Sequence, residues 1–86
     1  MTVKEYLSVN NAEDINSIGI YAATPFKDSL GRTTEVIESH VQAFDIIKHL
    51  EREVDHVHLF IYDEASQDFQ GNPINLKRIR ACIYIK

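Results

Sequence analysis

Hydrophobic and polar residues change their spacing several times along the chain, and each change marks a predicted element. Alternation from Val3 to Val9 predicts a half-buried first strand, although Glu5 falls on its inward side. Residues 10–14 are turn formers and predict a connection. A second strand is expected from Ser17 to Thr24, where β-branched and small residues alternate until Pro25, which cannot donate to a sheet.

The longest periodic stretch runs from Thr33 to Val54 and predicts the one long helix of the protein. At about 100° per residue its apolar positions cover an arc of roughly 220°. An amphipathic helix needs a stripe only a little wider than about 100°. The excess predicts a second contact, either with loops of the same chain or with another chain. His40 lies inside the arc and is expected to be a hydrogen-bonded core residue.

Two further strands complete the predicted fold. Residues 56–63 alternate strongly, residues 63–73 form a polar loop, and Ile74 to Lys86 alternates again. The element order is therefore ββαββ. It predicts one two-layer α+β domain of residues 1–86, with one long helix packed on one face of a four-stranded, mostly antiparallel sheet.

Composition narrows the class of protein. Eighty-six residues suffice for one domain, and 44% hydrophobic with 26% charged residues is an ordinary globular composition. A net charge of -4 disfavours nucleic acid as a partner. The single cysteine, Cys82, allows no internal disulfide, and the sequence contains neither a secretion signal nor a membrane span. We therefore expect a soluble cytoplasmic protein.

The sheet face turned away from the predicted helix is the strongest candidate surface. Alternation collects all four tyrosines there, together with other aromatic and cationic side chains. Tyrosine and arginine are enriched where proteins meet, although aromatic residues also simply suit strands. Cys82 belongs to the same face, and the predicted partner-binding residues are Tyr6, Tyr21, His58, Phe60, Tyr62, Arg80 and Tyr84.

A second candidate surface is the start of the predicted helix. Free amides at a helix N-terminus, two hydroxyls and two cations would suit a phosphate or carboxylate. The alternative is an ordinary N-capped helix after a solvated turn. The predicted ligand-binding residues are Lys27, Gly31, Arg32, Thr33 and Thr34.

Other chemistry has weaker support from the sequence. His56 and His58 share one side of a strand, but two ligands do not make a metal site. Cys82 near Arg80 could form a thiolate, yet no spacing supplies an aligned base. The sequence therefore predicts no catalytic residue, no metal and no cofactor.

These observations favour a small non-enzymatic protein that binds another protein and forms homo-oligomers. Small acidic domains of this kind are common among regulators and among phage-encoded inhibitors of host protein complexes, so a regulator or inhibitor is the expected role. The alternative is a binder of a small anionic ligand, such as a nucleotide or phosphate, at the helix N-terminus.

Overall fold

A computed structural model describes residues 1–10, 15–42 and 44–86, and it is an α+β structure. The predicted class is confirmed, but the four-stranded sheet is mixed. Its order is β2-β1-β4-β3, with β1 and β4 parallel and the other two neighbouring pairs antiparallel. The elements are helix α1 Val3–Val9, strands β1 Ser17–Lys27 and β2 Thr33–Glu38, a 3₁₀ helix Asp45–His49, and strands β3 Val54–Gln67 and β4 Pro73–Ile85.

The predicted long helix from Thr33 to Val54 is wrong. Its first part is strand β2, which pairs antiparallel with β1, and the 3₁₀ helix Asp45–His49 lies between β2 and β3. Four of the six residues of β2 are β-branched, and such side chains pack well on a pleated surface. His40 is consequently exposed and lies 3.3 Å from the Ser17 hydroxyl, outside the core. Ala43, part of the predicted helix, lies outside the described residues.

The predicted first strand is also wrong, because Val3–Val9 is helix α1. Thr2 and Glu5 form a capping box: Glu5 N–H donates to Thr2 Oγ1 at 3.2 Å, and Thr2 N–H donates to Glu5 Oε1 at 3.1 Å. The capping box explains why a glutamate stands at position 5, which would have been an inward position of the predicted strand. The predicted connection at residues 10–14 falls mostly on residues 11–14, which are outside the described residues.

Thr2→Ala is expected to lower the free energy of unfolding by about 1 kcal/mol, because it leaves an amide of the first helical turn without its acceptor. Urea denaturation followed by circular dichroism measures the change. Thr33→Ala, an exposed threonine in β2, is the matched control. Equal losses in both variants would show that the cap does not stabilise the helix.

The three other predicted strands are present; β1 and β3 are longer than expected, and β4 is shifted by one residue. β1 continues past Pro25 to Lys27, with a register irregularity between Tyr21 and Phe26. Proline is tolerated at such irregular positions, since no regular ladder bond is lost. The predicted loop at residues 63–73 contributes to both β3 and β4 and leaves only a short turn.

The core lies on one face of the sheet, here called the covered face. It comprises Val3, Ile20, Ala81, Ile83 and Ile85, each at most 1% exposed. Residues of α1 and of the 3₁₀ helix pack against it. The opposite side of the sheet, bearing the alternate residues, is here called the open face. No helix in the described part of the chain is long and apolar enough to cross a membrane.

The β3–β4 hairpin extends beyond the rest of the sheet. It pairs from Val54 opposite Ile85 to Gln67 opposite Pro73, whereas β1 reaches β4 only from Arg80 onward. Residues 61–79 therefore form a two-stranded arm. The radius of gyration is 15.2 Å, while a compact chain of this length has about 12 Å. The arm makes the molecule elongated.

Among the described residues, four carboxylates have lowered pKa values because they accept hydrogen bonds in the folded state. The pKa values of Glu5, Asp28 and Asp68 are lowered first by backbone N–H donors, and that of Glu38 is lowered first by the side chain of His49. An unfolded chain binds protons to these groups more readily than the native chain. Their contribution to the free energy of unfolding is complete above the pKa values of the unfolded chain, about 4.5. It is lost as pH falls through the pKa values of the folded chain.

We therefore expect the urea midpoint to fall as pH is lowered below about 4.5. The urea midpoint of Glu38→Gln should fall less steeply with pH than that of the unmodified protein, because one of the four carboxylates has been removed. Equilibrium unfolding at a series of pH values measures both curves. Parallel curves would contradict a contribution of the Glu38 carboxylate.

Candidate protein-binding face

Aromatic rings on the open face form a continuous ladder. Tyr84 is its centre: ring centroids lie 5.2 Å from Tyr21, 4.3 Å from His56 and 5.6 Å from His58. His58 in turn stacks on Phe60 at 6.4 Å. Rings in such offset or edge-on arrangements stabilise each other. The ladder therefore crosses three neighbouring strands as one surface.

Strand register explains why these rings meet. Tyr84 lies opposite Tyr21 on β1 and opposite His56 on β3. A bulge between Val54 and His56 allows Val54 to pack against the core while His56 reaches the open face. Without the extra residue, one of the two side chains would be on the wrong side of the sheet.

Arg80 fixes one end of the ladder. Its Nη2 donates to the Tyr21 hydroxyl at 2.9 Å and to the Ser39 carbonyl oxygen, and its Nη1 donates to the Ser17 hydroxyl at 2.5 Å. One guanidinium thus joins β4, β1 and the segment after β2. These bonds occupy both terminal nitrogens. Arg80 therefore positions Tyr21, and it is not a free cation for a ligand.

Gly19 provides the space that Arg80 crosses. A Cβ at this position would lie 2.7 Å from Arg80 Nη2, 2.7 Å from the Tyr21 ring and 3.1 Å from the Ser39 carbonyl oxygen. The two shorter distances are below ordinary van der Waals contact, and the carbonyl is backbone. A side chain here would displace either the guanidinium or the ring.

Gly19→Ala is expected to lower the free energy of unfolding by about 1–3 kcal/mol through overpacking. The sign of this change distinguishes a clash from its absence, because replacing glycine by alanine without a clash usually stabilises a protein by about 0.4–1 kcal/mol. Urea denaturation measures the change. In an Arg80→Met background the same substitution should cost less, since the guanidinium is gone. A stabilised Gly19→Ala protein would contradict this account.

Six of the seven predicted partner-binding residues lie on the open face. Tyr6 does not, because it belongs to α1 and packs against the core on the covered face. Phe60 and Tyr62 are 53% and 40% exposed. His56 joins the ladder although it was not among the predicted residues, and its alternation with His58 was the signal. The residues found on the open face as predicted are Tyr21, His58, Phe60, Tyr62, Arg80 and Tyr84.

Two of the reactive candidates of this face, Cys82 and His56, are buried or already paired. Cys82 is buried, being only 7% exposed. His56 Nδ1 lies 2.7 Å from Asp55 Oδ2. Among the residues that the structure describes, no group of three histidine, cysteine or acidic side chains could hold a metal ion. The face therefore offers rings and hydrogen-bonding groups for contact.

The second predicted surface loses its structural premise, since no helix begins at Thr33. Residues 28–32 form the turn between β1 and β2. Asp28 Oδ1 accepts the N–H groups of Leu30 and Arg32 at 2.9 Å each, and Arg32 Nε donates to Asp28 Oδ2 at 3.1 Å. The carboxylate occupies the position that an anion would take. A phosphate at this turn would have to displace it.

An open groove lies beside this turn. Among its lining residues are Phe26, Lys27, Val36, Ile37 and Arg52. Of the five predicted ligand-binding residues, only Lys27 lines it; Gly31, Arg32, Thr33 and Thr34 do not. The structure therefore does not gather the predicted anion-binding set into one cavity.

The aromatic ladder of the open face is thus the best-formed candidate site. It is built by the pairing of three strands and held by one arginine, and its three rings on β3 are exposed while Tyr21 and Tyr84 are half-buried. Comparison with known protein families, curated proteins and solved structures finds no match to this chain.

Proposed function

We propose that this protein is a small non-enzymatic binding protein, a regulator or inhibitor, that docks on a partner protein through the aromatic ladder and also forms homo-oligomers. The observation that carries the proposal is the exposed half of the ladder. Phe60, the end of the ladder on β3, and Tyr62, the next residue of β3 on the same face, expose large rings, while Tyr21 and Tyr84 at the other end are half-buried. Rigid aromatic anchors of this kind dominate the energetics of protein interfaces.

The ladder suits a polypeptide better than a small molecule. Its rings lie side by side on neighbouring strands of one sheet face. Because the stacks and Arg80 already fix Tyr21 and Tyr84, little side-chain entropy would be lost on binding. Hydroxyl and imidazole groups along the ladder can exchange hydrogen bonds with a partner's backbone.

Partner capture with variants tests the proposal. Tyr62→Ala and Tyr84→Ala should each weaken the affinity for a specific partner by about 30-fold. This is equivalent to about 2 kcal/mol, as expected for truncation of a hot-spot residue. Immobilised protein is exposed to host lysate, captured proteins are identified by mass, and the affinity of each is then titrated.

Phe44→Ala is the matched control, because Phe44 is 74% exposed and directly precedes the 3₁₀ helix that packs on the covered face. The proposal is supported if a partner binds the Phe44 variant normally and binds neither of the two tyrosine variants. Equal binding to all three variants would refute a role for the ladder.

A further inference from the structure

The covered face continues beyond its cover onto the base of the arm. Val57 packs against the core, but the next two residues of β3 on that side, Leu59 and Ile61, are 58% and 72% exposed. Their cross-strand neighbours are Ala81 and Ile79. Leu59, Ile61 and Ile79 are here called the apolar strip. The strip is an extension of the core in which Ile79 is half-buried and the two β3 side chains are exposed.

Polar residues mark the outer end of the strip. The next cross-strand pair on the same side is Asp63 with Lys77, whose Oδ1 and Nζ atoms are 2.6 Å apart. An apolar centre with a polar rim is the usual anatomy of a protein interface. The strip therefore ends at a polar pair on its outer side.

The arm also lacks support from neighbouring strands. β1 pairs with β4 from Arg80 onward, and Asn16 exchanges hydrogen bonds with the backbone of Ile79 at 2.8 and 2.9 Å, so the part of the arm beyond Ile79 has no third strand of the described chain beside it. An isolated two-stranded hairpin is marginally stable in water, and a third layer or strand is needed to stabilise it. A contact on the strip would supply that support.

The exposed area of the molecule matches one half of a dimer. A folded monomer of 9.9 kDa is expected to expose about 5,200 Å². This chain exposes 6194 Å², an excess of about 1,000 Å². A standard stable interface buries about 800 Å² on each partner. The excess is sufficient for one such interface.

Charge indicates a second copy as the occupant. The chain carries a net charge of -4, but the acidic and basic residues near the strip neutralise each other within the arm. On the strip side of the arm these are Asp63 and Lys77, and on its open face Arg78 Nε donates to Glu64 Oε2 at 2.6 Å. No uncompensated charge there selects an oppositely charged partner, and two identical arms can approach without strong repulsion.

We propose that two copies of this chain form a twofold dimer in which the apolar strips pack against each other. An isologous contact of this kind uses the same patch on both subunits. The inference specifies the homo-oligomeric part of the proposed function. It does not depend on the aromatic ladder, which lies on the other face of the same strands.

Light scattering coupled to size exclusion tests the dimer. The unmodified protein should have twice the chain mass of 9.9 kDa, and the double variant Leu59→Gln/Ile61→Lys should have the mass of one chain. Leu30→Gln/Ile47→Lys makes the same chemical changes at residues that are 73% and 69% exposed and lie outside the strip, and it should remain dimeric. Ile61→Lys alone should also yield monomers, and circular dichroism should show it folded because the side chain is largely exposed.

The outcomes separate the proposals. A monomeric unmodified protein would overturn both the strip dimer and the homo-oligomeric part of the proposed function. This holds even if the strip is then found to bind a different protein. A dimeric unmodified protein whose strip variants remain dimeric would overturn the strip alone. Partner capture that is lost in Tyr84→Ala but retained in Ile61→Lys would leave the ladder supported in either case.

Discussion

Ile83→Ala is expected to lower the free energy of unfolding by about 2–5 kcal/mol. Ile83 is fully buried, and it lies between Ile20 on β1 and Val57 on β3. Truncation would leave a cavity where three strands meet. A domain of 86 residues has a total stability of only about 4–13 kcal/mol, so the variant should lose a large fraction of it.

Urea denaturation of Ile83→Ala beside Ile47→Ala measures this effect. Ile47 is 69% exposed in the 3₁₀ helix, and its truncation should change stability by no more than about 0.5 kcal/mol. A loss below about 1 kcal/mol for Ile83→Ala would mean that this small core does not provide the main stabilisation. Comparison at equal protein concentration keeps any contribution from association the same in both variants.

Strands β1, β3 and β4 were predictable because the alternation of their residues reflects which side of the sheet is buried. Ile18 and Ile20 alternate with Gly19 and Tyr21, and the structure places Ile20 in the core and Tyr21 on the open face. Such local patterns need no knowledge of strand order. The parallel pairing of β1 with β4 was not predictable, because a sequence pattern does not specify which strand lies beside which.

The failed helix shows the limit of periodicity. Val36 and Ile37 in a strand, followed by Ile46 and Ile47 in a 3₁₀ helix, happen to repeat at helical spacing. The predicted apolar arc of roughly 220° was too wide for one amphipathic helix, and two separate elements explain it better. β-branched content favoured a strand there, and tertiary pairing with β1 provides its partner.

Some signals were present but were not used. The sequence from Thr2 to Glu5 fits the capping-box pattern. The two hairpin turns share the pattern Asp-x-x-Gly: at Asp28 and Asp68 the carboxylate accepts the N–H groups two and four residues later, and Gly31 and Gly71 have φ of 78° and 81°. Recognising the second turn would have extended β3 and β4 through the predicted loop.

The candidate face was only partly predictable. Alternation grouped His58, Phe60 and Tyr62 on one side of β3, and the structure keeps them together. It could not reveal that Tyr21 stacks on Tyr84, which requires the β1–β4 register. The contact of Arg80 with the Ser39 carbonyl depends on residues 41 positions apart in the chain.

Arg80→Met is expected to lower the free energy of unfolding by about 1–3 kcal/mol and to loosen the aromatic ladder. Methionine retains much of the apolar stem but removes the donors to Ser17, Tyr21 and the Ser39 carbonyl oxygen. Hydrogen bonds from a charged donor each contribute about 1.5–3 kcal/mol. The total should be smaller than their sum, because the freed acceptors are close enough to solvent to bind water.

Arg80→Lys separates charge from geometry in this experiment. A lysine keeps the positive charge, but its single nitrogen cannot reproduce the planar fork that reaches three acceptors. Both variants should therefore unfold at lower urea concentration, and the near-ultraviolet circular dichroism of the tyrosines should weaken as Tyr21 loses its hydroxyl anchor. If Arg80→Lys matched the unmodified protein in both measurements, charge alone would suffice and the proposed role of Arg80 in positioning Tyr21 would be wrong. If the Arg80→Met variant remains folded but no longer binds the partner, the arginine acts by holding the ladder in its binding arrangement.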